Sequence, residues 1–91
     1  MCVHSRHRRT LATLFAVPTP AAVLYEDAMA LLLALGASVD EWRRGSRVAV
    51  TLRGAVASLH RPHPAKELKR YQVRDLRDFL AGLGVMPDTE V

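Results

Sequence analysis

Ser46-Arg47-Val48-Ala49-Val50-Thr51-Leu52-Arg53-Gly54-Ala55-Val56-Ala57-Ser58-Leu59-His60 alternates in a way that only a strand hairpin explains. Val48, Val50 and Leu52 fall to one side, and Arg47, Ala49, Thr51 and Arg53 to the other. Period two with β-branched residues marks an antiparallel strand that has one face on a core and the other in water. Arg53-Gly54 fits a tight two-residue turn, with Gly54 taking a positive φ. Ala55–His60 is the returning strand, in which Val56, Ser58 and His60 alternate with Ala55, Ala57 and Leu59.

Helices flank this hairpin. Upstream, Glu26 and Asp27 suit the positive first turn of a helix, and Met29, Leu32, Leu33 and Leu35 supply its apolar stripe. Gly36 is its left-handed stop, and Ala37–Arg43 then forms a short strand. Downstream, Pro62 and Pro64 end the hairpin. A last helix over about Gln72–Leu83 carries Val73, Leu76, Phe79, Leu80 and Leu83 at helical spacing and closes at Gly84. Ahead of all these, Ser5 caps a helix running to about Ala16, with Leu11, Leu14 and Phe15 on one face. Pro18 and Pro20 set it off, so it reads as an appendage docking through its apolar side. The expected organisation is residues 1–20 as N-terminal helix and proline linker, and 21–91 as an α+β domain with a three-stranded meander. Helices must cover one sheet face. The open face is expected to carry Arg47, Thr51 and Arg53.

Ninety-one residues allow one hydrophobic core, and 49% hydrophobic with 24% charged residues fits a globular chain. The single cysteine, Cys2, excludes an internal disulfide and every multi-cysteine zinc site. Arg6-His7-Arg8-Arg9 before Leu11–Val17 looks superficially like a secretory leader, but Pro18-Thr19-Pro20 replaces the small-residue cleavage site. The apolar run Ala28–Leu35 is too short to cross a bilayer. The expectation is a soluble, cytoplasmic protein with no membrane partner.

The net charge of +4 conceals an uneven distribution. Between Trp42 and Arg74 stand nine basic residues and one acid, Glu67, while residues 11–41 hold four acids and no Lys or Arg. Such a patch points to a polyanion. Arg43, Arg44, Arg53, Arg61, Lys66, Lys69 and Arg70 are the candidate RNA-binding residues, with Trp42 and Tyr71 available either to stack on bases or to pack on the fold. His60 and His63 flank Arg61-Pro62, and histidine is the side chain best suited to exchange protons near neutral pH. A base among phosphate-holding cations suffices to cleave RNA without metal: it takes the 2′-hydroxyl proton, the oxygen attacks phosphorus, and the cations stabilise the developing charge. His60, His63 and Glu67 do not make a zinc site, and no cofactor is implied. The same histidines can instead hydrogen-bond the turn, and bound phosphate can go uncut.

Leu35-Gly36-Ala37, Gly45-Ser46 opening a strand, and Pro62-His63-Pro64-Ala65-Lys66-Glu67-Leu68-Lys69 follow one another in this order. With the Val73–Val85 helix ending Ala81-Gly82-Leu83-Gly84-Val85, they resemble the HicA family of toxins over roughly Tyr25 to Val85. The resemblance implies a fold like the double-stranded-RNA-binding domain, with helix, three antiparallel strands and helix. It also implies an mRNA endonuclease neutralised by a HicB antitoxin. Family members carry a catalytic histidine directly after the Gly-Ser or Gly-Asp pair, and here that position is Arg47. Arginine stays protonated and cannot act as a general base, though it can clamp phosphate or stabilise a transition state. The expected catalytic set is therefore His63, at a motif position where the family also has histidine, then His60, with Arg47 in support. The expected partners are mRNA and a HicB-like antitoxin. Two other readings stand beside this one, a catalytically silent RNA-binding module and a protein that only binds an acidic partner.

Overall fold

A computed structural model describes residues 5–20, 22–41, 47–62 and 66–87. In chain order the elements are α1 (Ser5–Leu14), β1 (Val23–Leu24), α2 (Tyr25–Ala34), β2 (Ser38–Glu41), β3 (Arg47–Leu52), β4 (Ala55–His60), β5 (Glu67–Leu68) and α3 (Arg70–Gly82). β2, β3 and β4 form an antiparallel meander in that spatial order. The hairpin turn has Arg53 at φ 51° and Gly54 at φ 81°, and positive φ at both central residues is what a type I′ turn requires.

The alternation in β3 sends Val48, Val50 and Leu52 into the core, joined by Leu59 of β4. α2 contributes Ala28, Met29, Leu31 and Leu32, and α3 contributes Val73, Leu76 and Leu80. Both helices therefore lie on one sheet face and leave the other open. α2, the meander and α3 make the α+β, double-stranded-RNA-binding-domain-like arrangement expected from the sequence. Beyond α3, Gly84 (φ 81°) turns the chain so that the Val85 amide reaches the Leu80 carbonyl at 2.9 Å, and Val85 is fully buried.

Three features differ from the sequence expectation. α1 docks through its apolar side, but it is more than an appendage: Leu11 and Leu14 are 2% and 0% exposed and belong to the common core. α1 packs against both α2 and α3. Second, β1 and β5 form a separate two-stranded ladder, Val23 opposite Leu68 and Leu24 opposite Glu67. Two residues per strand are too few for periodicity to reveal. Third, α3 begins at Arg70 instead of near Gln72, because the Gln72 side chain reaches back and accepts the Lys69 amide at 3.1 Å. That bond satisfies a donor at the helix start, as the returning half of a capping box does.

Candidate functional site

The open sheet face follows from strand register. Arg47 stands opposite His60, Ala49 opposite Ser58, and Thr51 opposite Val56. From the other side, Ser38 lies opposite Thr51 and Asp40 opposite Ala49. The face is thus mostly small side chains, with Arg47 and His60 as a directly opposed pair at one end. Directly opposed residues of an antiparallel pair have Cβ atoms about 5 Å apart, so one small anion can touch both side chains. Arg47 and His60 are both exposed. The pair can donate charged hydrogen bonds from one member and exchange a proton at the other.

Behind His60, the fold supplies more positive charge. The His60 carbonyl accepts Nε2 of Gln72 at 2.6 Å, which ties the end of β4 to the first turn of α3. Exposed Lys69 and Arg70 stand at that helix start, with Tyr71 53% exposed beside them. Cations at a helix N-terminus add to the positive potential of its free amides. Lys66 is also exposed, just before β5.

Arg61 follows His60 but engages a different group. Its Nη1 donates to Oε2 of Glu41 at 3.1 Å, and the Tyr25 hydroxyl donates to the same oxygen at 3.2 Å. The Tyr25 hydroxyl has its pKa pushed up to about 12, first by burial, then by the Glu41 charge and the hydrogen bond to it, with Arg61 opposing.

The structure therefore brings together Arg47 and His60, and joins them through Gln72 to the region of Lys69 and Arg70. Arg53 is not on the open face as expected. It sits in the turn at the far end of the hairpin, where its Nη1 donates to the Leu83 carbonyl at 2.8 Å. The turn's positive φ takes Arg53 out of the strand's alternation. Arg43, Arg44 and His63, like Trp42, lie outside the described residues. Sequence reading missed Gln72, Tyr25 and Glu41. Gln72 had a local signal, a glutamine three residues after a helix-start position. Tyr25 and Glu41 had none, because their contact spans separate elements. Among the described residues no group of three or more His, Cys, Asp or Glu could hold a metal ion, and no helix is long and apolar enough to cross a membrane.

The family model described as the HicA toxin of bacterial toxin-antitoxin matches residues 25–83. No curated protein and no solved structure matches the chain. The matched span begins at the first residue of α2 and ends just after α3, so it takes in the whole meander and both helices that cover it. With well over half of its length in that match, the chain belongs to the HicA family of bacterial toxin–antitoxin toxins.

Proposed function

We propose that this toxin is a metal-independent mRNA endoribonuclease, acting in the cytoplasm and held inactive by a HicB-like antitoxin. The observation that carries this reading is the register pairing of Arg47 with His60 on the open face, beside the cationic start of α3. A neutral histidine takes the proton of a ribose 2′-hydroxyl, and the oxygen attacks the adjacent phosphorus in line. The bond to the 5′-oxygen breaks, and that oxygen takes a proton from water as it leaves. The products are a 2′,3′-cyclic phosphate and a 5′-hydroxyl. Arg47 stabilises the charge that accumulates on the phosphoryl oxygens. His60 and His63 are the candidate bases. Lys66, Lys69 and Arg70 hold neighbouring phosphates, and Arg43, Arg44 and Arg61 extend the cationic track, whereas Arg53, bonded to the Leu83 carbonyl at the far end of the hairpin, lies away from it. Residues 21–91 carry the activity, while residues 1–20 complete its core through Leu11 and Leu14.

A specific observation favours a second reading. Arg47 occupies the position where the resemblance puts a catalytic histidine, which suits a module that binds RNA without cutting it. Incubating the purified protein with end-labelled RNA, with and without EDTA, separates the two. Cleavage that persists in EDTA and leaves cyclic phosphate ends supports the endonuclease. Binding without cleavage supports the silent module.

A further inference from the structure

We propose that the cleft between the start of α2 and the end of β4 is a nucleotide subsite, holding one nucleotide of a single-stranded RNA next to the Arg47–His60 pair. This rests on the RNA reading above and adds a place where the nucleotide beside the reacting phosphate is gripped. The cleft has a volume of about 360 Å³ and is lined by Leu24, Tyr25, Glu26, Arg61, Pro62 and Lys66. That volume lies in the range of clefts that bind small organic molecules.

Its walls divide by chemistry. Leu24, Tyr25 and Pro62 offer apolar surface and an aromatic ring to a base, and Arg61 and Lys66 offer cations to a phosphate. Glu26 repels phosphate from its own side, so the charges orient the nucleotide with its phosphate toward Arg61 and Lys66. The Tyr25 ring is fixed at its tip by the hydroxyl bond to Glu41. Among the described residues the ion partner of Arg61 is Glu41, at 3.1 Å, with side-chain exposures of 46% and 44%. An ion pair this exposed contributes little, so a phosphate can take over the guanidinium at small cost.

Position connects the cleft to the catalytic pair. His60 and Arg61 are consecutive, with Cα atoms about 3.8 Å apart. His60 belongs to the open face, whereas Arg61 turns to Glu41. An RNA strand passing around this end of the sheet meets Arg47 and His60 with one phosphate and the cleft with the neighbouring nucleotide.

The test uses the full chain and a short single-stranded RNA carrying 2′-O-methyl groups, so that it binds but is not cut. Tyr25→Phe keeps the ring and should bind within about twofold of wild type, whereas Tyr25→Leu should bind roughly tenfold more weakly with an unchanged salt slope. Arg61→Gln should weaken binding and reduce the salt slope by about 0.7, the share of one phosphate on a single strand. Glu41→Gln, at an exposed residue, should release Arg61 and tighten binding by about two- to threefold, while Asp78→Asn makes the same charge change without that gain. Should Tyr25→Leu not fold, the Glu41 and Arg61 variants decide. Wild-type affinity in Tyr25→Leu or, failing that variant, in Glu41→Gln and Arg61→Gln overturns the subsite, while salt-dependent binding by wild type leaves the RNA reading intact. A wild-type protein with no salt-dependent RNA binding overturns both.

Discussion

Nε2 of Gln72 donates to the main-chain oxygen of His60 at 2.6 Å, so a single side chain joins the last residue of β4 to the first turn of α3. Gln72 is 3% exposed, and its Oε1 accepts the Lys69 amide. A buried amide used at both ends is expensive to remove, because each partner is left without its bond. Gln72→Leu keeps the volume and loses both bonds. We expect it to lower unfolding free energy by about 1–3 kcal/mol in urea titrations. Gln72→Glu should be worse, since it sets a carboxylate oxygen against the His60 carbonyl. Wild-type stability in Gln72→Leu would show that the bridge contributes nothing.

The burial of Leu11 and Leu14 makes α1 part of the folding unit. Large-to-small changes at such sites cost about 2–5 kcal/mol through lost transfer energy and the cavity left behind. Leu11→Ala and Leu14→Ala should each fall in that range. By contrast, Arg6→Ala removes an exposed ion pair with Asp27 at 2.7 Å and should change stability by less than about 1 kcal/mol. Equal effects from Leu11→Ala and Arg6→Ala in thermal melts would contradict the shared core.

Tyr25 gives a pH dependence with a defined sign. Its pKa is raised from 10.0 to about 12 in the folded chain, so the folded state favours the neutral phenol. The resulting stabilisation is complete below pH 10, where both states are protonated, and is lost as pH rises from there through about 12. Tyr25→Phe cannot ionise. The stability difference between wild type and Tyr25→Phe should therefore shift against wild type over that window and stay flat below it. A constant difference through the window would remove the assigned shift.

How far the fold was legible follows from the range of each signal. The β3–β4 hairpin was readable because Val48, Val50 and Leu52 alternate and Arg53-Gly54 names its turn. α2 and α3 were readable from apolar spacing and from the glycines beyond their ends. The β1–β5 ladder was not, since its partners are far apart in sequence and two residues long. At the site, Arg47 was flagged by its place after Gly45-Ser46, while its pairing with His60 came with the strand register of the structure. Arg53 was misread because strand parity was extended one residue into a turn. The Tyr25–Glu41–Arg61 contact joins α2, β2 and the segment just after β4, and no local pattern encodes it.

Binding to RNA should carry the mark of counterion release. Engaging about four phosphates of a single strand gives a log–log slope of affinity against salt near −3. Arg47→Ala should reduce both affinity and slope. Arg53→Ala should act more on stability, because Arg53 donates to the Leu83 carbonyl at the far end of the hairpin. Fluorescence anisotropy across a salt series measures both. A flat salt response would remove the nucleic-acid reading.

An acidic HicB-like partner that covers the open face should associate by electrostatic steering. Arg47→Glu reverses the charge at one end of that face and should slow association more than it speeds dissociation, with the difference shrinking as salt rises. Stopped-flow mixing of the two purified proteins reads the rate directly. An association rate indifferent to both Arg47→Glu and salt would argue for a partner that docks elsewhere.

The most demanding expectation concerns the base. Arg47 cannot accept a proton, so cleavage without metal needs another base at the same phosphate, and the histidines are the candidates. Register sets His60 opposite Arg47, and the sequence offers His63 three residues later in a motif shared with the family. Replacing the true base by Ala should lower the cleavage rate by about 10²–10⁴-fold while leaving RNA affinity nearly intact, because general-base catalysis acts in the transition state. Arg47→Ala should lower rate and affinity together, since a guanidinium holds the phosphate before and during reaction. Arg47→His puts a histidine where the resemblance implies one and should raise the cleavage rate, with a new dependence on pH near neutrality as the added imidazole titrates. Single-turnover cleavage of a labelled RNA by the four variants His60→Ala, His63→Ala, Arg47→Ala and Arg47→His distinguishes these roles. A His60→Ala/His63→Ala double variant that cuts at the wild-type rate would exclude both histidines and leave the proton transfer to another group.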